Sequence, residues 1–135
     1  MAARSKARKR ALDVLYAAEL RGESAGEALD RAIAAGEGPT NDYTAVLVRG
    51  VEQHRARIDE LLSSYAEGWT LQRMPAIDRN VLRLGVWELL WADDVPSSVA
   101  ISEAMGLVTD LSTDESPAFV NGVLGAISRA GVSAD

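Results

Sequence analysis

Pro75-Ala76-Ile77-Asp78-Arg79-Asn80-Val81-Leu82-Arg83-Leu84-Gly85-Val86-Trp87-Glu88-Leu89-Leu90-Trp91 is the stretch that decides how this chain folds. Proline suits the first turn of a helix, where the N–H it lacks would have had no intrahelical partner. From Leu84 to Trp91 only Glu88 is polar, so a helix through this segment is apolar almost all round. Such a helix is buried on most sides, and this one is expected at the centre of the fold.

Outward from it, the spacings stay helical and no convincing strand alternation interrupts them. A first helix is predicted from about Ser5 to Leu20, with Leu12, Leu15, Tyr16 and Leu20 as its apolar face and Gly22 as its stop. Ser24 and Glu27 have capping-box spacing and open a short helix to Ala35, closed by Gly36, Gly38 and Pro39. A third helix runs from Thr40–Asn41–Asp42 to about Tyr65 on Val46, Val51, Ile58, Leu61 and Leu62, followed by a loop at Gly68–Trp69–Thr70. After the central helix, Asp93, Asp94 and Pro96 separate a fifth helix ending near Leu111. Ser116 as cap and Pro117 in the first turn begin a sixth, ending near Arg129. The expectation is a single all-α domain of about six helices over residues 1–135. Gly85, Gly106, Gly122 and Gly125 fall inside those helices, where each costs about 1 kcal/mol relative to alanine. Close helix–helix approach is the economical reason for them.

The composition narrows the function. Hydrophobic residues make up 47% of the 135, enough to bury a core and too many for a disordered chain. The longest uncharged run, Ser116–Ser128, has 13 residues, short of the roughly 18–20 a membrane span needs. The expectation is a soluble cytoplasmic protein with no membrane association. With no cysteine and His54 as the only histidine, thiolate nucleophiles and two-histidine metal motifs are excluded. A P-loop needs a lysine, yet none follows Lys9. Asp110, Ser112 and Asp114 mimic the start of a calcium loop, but Glu115 and Asn121 stand where its glycine and terminal glutamate belong. Glu88 has no second catalytic group beside it and is read as a buried structural acid. No enzyme activity, metal or cofactor is expected.

Charge is distributed unevenly. Residues 1–10 carry Arg4, Lys6, Arg8, Lys9 and Arg10 and no acid, while the other nine basic residues face all 20 acids and leave −11 on the rest. A basic arm on an acidic body is a pattern of nucleic-acid contact. Cations at a helix N-terminus oppose the macrodipole, so residues 1–8 are expected to fray and to order on phosphate. A solvated tail that aids solubility is the plain alternative.

Three stretches then resemble the NusB family of bacterial transcription antitermination factors. They are Ala7-Arg8-Lys9-Arg10-Ala11-Leu12 with Leu15-Tyr16; Leu71 through Leu89; and Asp94-Val95-Pro96 through Val99-Ala100-Ile101-Ser102-Glu103-Ala104 to Ser116-Pro117-Ala118-Phe119-Val120-Asn121-Gly122-Val123-Leu124. The resemblance implies two packed three-helix bundles and binding to boxA RNA of nascent ribosomal transcripts. It also implies a heterodimer with NusE, a small-subunit ribosomal protein, inside a complex with other Nus factors and RNA polymerase. By similarity, Arg4, Arg8, Lys9 and Arg10, with Lys6 of the same arm, would meet RNA together with Phe119 and Asn121. Phe119 has the chemistry of a stacking platform for a single-stranded base, or else of a core residue. Tyr16, Asp78, Arg79 and Arg83 carry over to the NusE side, although the two arginines could equally pair with carboxylates in the fold.

Ser102, Gly106, Thr109, Pro117 and Ala118 depart from the usual family pattern, and with Thr109 and the Pro117–Ala118 pair two potential cations beside Phe119 are lost. Two other readings compete. One is an RNA-binding domain like that fused to certain RNA cytosine methyltransferases. The other is a protein-interaction or homodimeric module with weak or no RNA binding.

Overall fold

The computed structural model describes residues 3–134, and among them the regular structure is entirely helical. Seven α-helices appear: α1 Ala3–Arg21, α2 Ala25–Ala34, α3 Asp42–Gln53, α4 Arg55–Tyr65, α5 Ala76–Trp91, α6 Ser97–Leu111 and α7 Ser116–Ala130, with a 3-10 turn at Leu71–Arg73. The chain divides into two compact units, Met1–Gln53 and His54–Asp135.

In the first unit α1, α2 and α3 pack on one another around Ala11, Leu12, Leu15, Leu29, Leu47, Val48 and Val51, each at most 4% exposed. Ser24 caps α2 as predicted, its hydroxyl accepting from Glu27 N at 3.3 Å. The carboxylate of this cap comes from Glu52 of α3, which accepts from Ser24 Oγ and Gly26 N. A β-carbon at Gly26 would collide with that carboxylate, and the negative charge suits the positive end of the α2 dipole.

The segment expected to fray, so far as it lies in the described residues, is helical, and α1 starts at Ala3 rather than near Ser5; residues 1 and 2 lie outside them. Tertiary contacts oppose the fraying. Asn41 donates to Ala3 O at 3.3 Å, and the buried Thr44 hydroxyl donates to Ala7 O at 3.0 Å.

The predicted third helix is two helices, broken at His54. Its apolar positions keep a constant helical phase through the break, so periodicity carried no sign of it. Partner choice makes the division: α3 packs on α1 and α2, whereas α4 packs on α5 and α7. His54 stacks on Trp91 at 4.1 Å between centroids and 15° between planes. Val46, assigned to the apolar face, is exposed; Tyr43, Leu47 and Val48 are buried instead.

In the second unit α5 contacts α4, α6 and α7, and Asn80 through Glu88 are all buried, as its sequence required. Pro75 precedes the helix as its cap. Close approach explains Gly85, where a β-carbon would stand 2.7 Å from Leu124 Cδ1. It does not explain the others. Gly106 and Gly122 face open space, and Gly125 meets only the flexible end of Arg129. No described helix is long and apolar enough to cross a membrane.

Candidate nucleic-acid and partner interfaces

On α1 the helical repeat sorts the cations of residues 4–10 into two sets. Arg4 and Arg8 lie on the same stripe as Ala11, Leu12 and Leu15 and turn toward α3, with Arg4 Cζ 4.1 Å and Arg8 Cζ 5.7 Å from the Tyr43 ring centroid. Arg8 is 5% exposed, so the arginine expected to meet RNA is committed to packing here, while Arg4 keeps an exposed side chain. A guanidinium over a tyrosine face gains about 0.5–2 kcal/mol, more as water is excluded, which offsets part of the cost of burying Arg8. Lys6, Lys9 and Arg10 occupy the opposite side and are exposed. Lys9 lies 3.6 Å from Asp13, both half-exposed, a pair worth little in water. Arg10 reaches Glu37 O at 3.4 Å. Tyr16 is half-buried further along α1.

The second unit carries the other expected site residues. Asp78, in the first turn of α5, is 2% exposed and accepts from the hydroxyls of Ser112 and Ser116, the latter at 2.8 Å. Ser116 Oγ in turn accepts from Thr113 N at 3.2 Å. The serine expected to cap the sixth helix is therefore spent on the α6–α7 loop, and Glu115 precedes the helix instead. Asp78 thus pins the start of α7 to α5 and sets where Phe119 and Asn121 stand. Phe119 is half-exposed and Asn121 exposed.

Arg79 donates to Leu71 O at 2.7 Å and Met74 O at 2.9 Å, holding the 3-10 turn that follows Trp69. Burial, with the nearby Arg83 adding to it, lowers the Arg79 guanidinium from its ordinary value. Arg83 is 4% exposed and makes a two-pronged pair with Asp59, Nε to Oδ1 at 2.9 Å and Nη2 to Oδ2 at 3.2 Å. It also donates to Asn80 Oδ1 at 3.3 Å. Of the four residues carried over to the NusE side, Asp78 and Arg83 are buried, Arg79 and Tyr16 are half-buried, and for Arg83 the carboxylate partner left open by the sequence is Asp59.

Sequence reading missed two aromatics. Tyr43 supports the basic helix from α3, a pairing that only the register of two helices could show. Trp69 sits in the loop before the 3-10 turn, 47% exposed, its ring 5.8 Å from Phe119 at 53°. With Pro75, Asp78 and Glu115 these two rings line a cleft of about 340 Å³. A large exposed tryptophan in a turn was the available signal.

Comparison with known proteins accounts for this arrangement. The NusB family model matches residues 5–129. The chain is 79% identical over 129 residues to the transcription antitermination protein NusB of a Nocardioides species, covering 96% of each. It is 59% identical over 121 residues to that of Thermobifida fusca, covering 90% of this chain and 85% of the other. Among solved structures, T. maritima NusB superposes with a TM-score of 0.84 at 32% identity, over 95% of this chain and 92% of that one. A chain from the complex of antitermination factors NusB and NusE with double-stranded RNA gives 0.80 at 32%, over 94% and 96%. From the all-helical architecture to the near-complete span of the match, the chain belongs to the NusB family.

Proposed function

We propose that this protein is a transcription antitermination factor that binds the boxA element of nascent ribosomal transcripts together with NusE and so joins the antitermination complex on RNA polymerase. The exposed cationic face of α1 carries the reading: Lys6, Lys9 and Arg10 point to solvent on a chain whose remaining 125 residues are strongly acidic. Exposed cations gathered on one helix face are ready to meet phosphates, and the exposed Lys9–Asp13 pair competes little for them. Arg4 borders this face, and Arg8 holds the helix down through Tyr43. A related NusB was solved with NusE and RNA, which supports both partners for this chain. On the second unit Phe119 offers a face for base stacking and Asn121 an amide for base edges. For NusE, the first unit offers the half-buried Tyr16 and the second the half-buried Arg79, with the buried Asp78 and Arg83 supporting the second unit's surface from within.

The acidic body weakens diffuse attraction, so affinity has to come from local contacts. The test is anisotropy titration of a short boxA RNA, with and without NusE, at two salt concentrations. Single-strand binding loses about 0.7 in log–log slope per phosphate neutralised. Lys6→Gln/Lys9→Gln/Arg10→Gln should therefore flatten the slope by about 2 while leaving helix content intact. Salt-independent or absent binding would instead favour a protein-interaction or homodimeric module.

A further inference from the structure

We propose that Trp69 and Phe119 form a two-walled notch that takes one unstacked, amino-bearing base of a single-stranded RNA; this deepens, and rests on, the RNA-binding reading above. The rings meet at 53° with centroids 5.8 Å apart, a tilted pair in contact, and both line the same cleft. Trp69 is 47% exposed although it is the largest kind of apolar side chain, and Phe119 is only half-buried. The space between them and Pro75, about 340 Å³, reaches the lower bound of about 300 Å³ for small-molecule sites. Aromatic faces at a chain surface stack bases of any identity.

The chargeable groups lining the notch decide what enters it. They are Asp78 and Glu115, both acids, so a phosphate is repelled and an N–H edge is welcomed. Both Asp78 oxygens already accept hydroxyls, which leaves the exposed Glu115 at the rim as the free acceptor. A carboxylate accepts from the exocyclic amine of cytosine, whereas uracil offers a carbonyl at that position. The notch should therefore favour cytosine over uracil. Access for the strand is also provided. Gly122, one helical turn after Phe119, has nothing within 4 Å of where a side chain would stand, so a sugar–phosphate backbone can settle on α7 there. Asn121, exposed beside it, offers a donor and an acceptor to the next base.

The experiment titrates the full-length protein with the short boxA RNA and with versions in which each base in turn is abasic or each cytosine is uracil. The protein variants are W69A, W69F, F119A, W69A/F119A and E115Q, with the Lys6/Lys9/Arg10 glutamine variant as the arm control. Trp69→Ala should weaken binding about tenfold, Trp69→Phe should recover most of it, and one abasic position should abolish the difference between W69A and wild type. The double variant should lose less than the product of the single losses, because both rings hold the same base. E115Q should reduce the preference for cytosine and leave the uracil oligomer unchanged. If wild type binds with the expected salt slope, but W69A stays within twofold of it, the notch is refuted while the RNA reading stands. If wild type binds no RNA, both fall. If W69A loses affinity for NusE and not for RNA, the notch belongs to a protein and the proposal is overturned.

Discussion

Removing one side of the Arg83–Asp59 pair should cost far more from the carboxylate side than from the arginine side. Arg83 is almost fully enclosed, with 5% side-chain exposure, whereas Asp59 keeps 26% and a second partner, Arg55, at 3.2 Å. In Asp59→Ala the enclosed guanidinium loses both prongs of its carboxylate partner. Breaking a buried pair this way costs about 3–5 kcal/mol, and the partial exposure of Asp59 points to the lower end, about 3 kcal/mol. In Arg83→Met an unbranched chain fills the same channel, and Asp59 retains Arg55 and water, so about 1–1.5 kcal/mol is lost. At about 2.1 cal/mol/K per residue, unfolding 135 residues has an entropy near 0.28 kcal/mol/K, so the melting temperature should fall by about 10 °C and about 5 °C respectively. Thermal circular dichroism on both variants and on Asp59→Ala/Arg83→Met reads this directly. The double variant should lie close to Arg83→Met, because the stranded charge is gone. Equal losses in the two single variants would refute the reasoning. So would an Arg83→Met that melts like wild type while losing NusE affinity, since the guanidinium would then face the partner.

Three further outcomes follow from the packing. Gly106→Ala should raise stability by about 1 kcal/mol in the same melt, because the helix gains propensity and the new methyl meets only open space. Gly85→Ala should lower it by about 1–3 kcal/mol, since its methyl would drive into Leu124 at 2.7 Å. Asp78→Ala leaves the hydroxyls of Ser112 and Ser116 without their acceptor. It should cost about 1–3 kcal/mol and weaken RNA binding indirectly, by loosening the first turn of α7. Restoration of the RNA affinity but not the melting temperature when NusE is added would show that the partner re-forms that turn.

The all-helical class was legible because it depends on local periodicity. Glu88 alone among apolar neighbours made α5 central, Ser24 announced a cap, and Gly22 a stop with φ of +67°. The exposed basic face was half legible: the cations of residues 4–10 were plain, but which of them reach solvent depends on the register of α1 against Tyr43. The same limit hid the division at His54, where the apolar phase runs on unbroken and only the choice of packing partner ends the helix. It also hid the assignment of Asp78, Arg79 and Arg83. A carboxylate or guanidinium looks the same in sequence whether it meets another protein or a serine 38 residues away, as Asp78 does. By itself, then, the sequence determined the helical class, the charge asymmetry and the family. Only the tertiary structure decided which charges are spent inside and which aromatic, Trp69, stands beside Phe119, because burial and long-range pairing are properties of elements already packed.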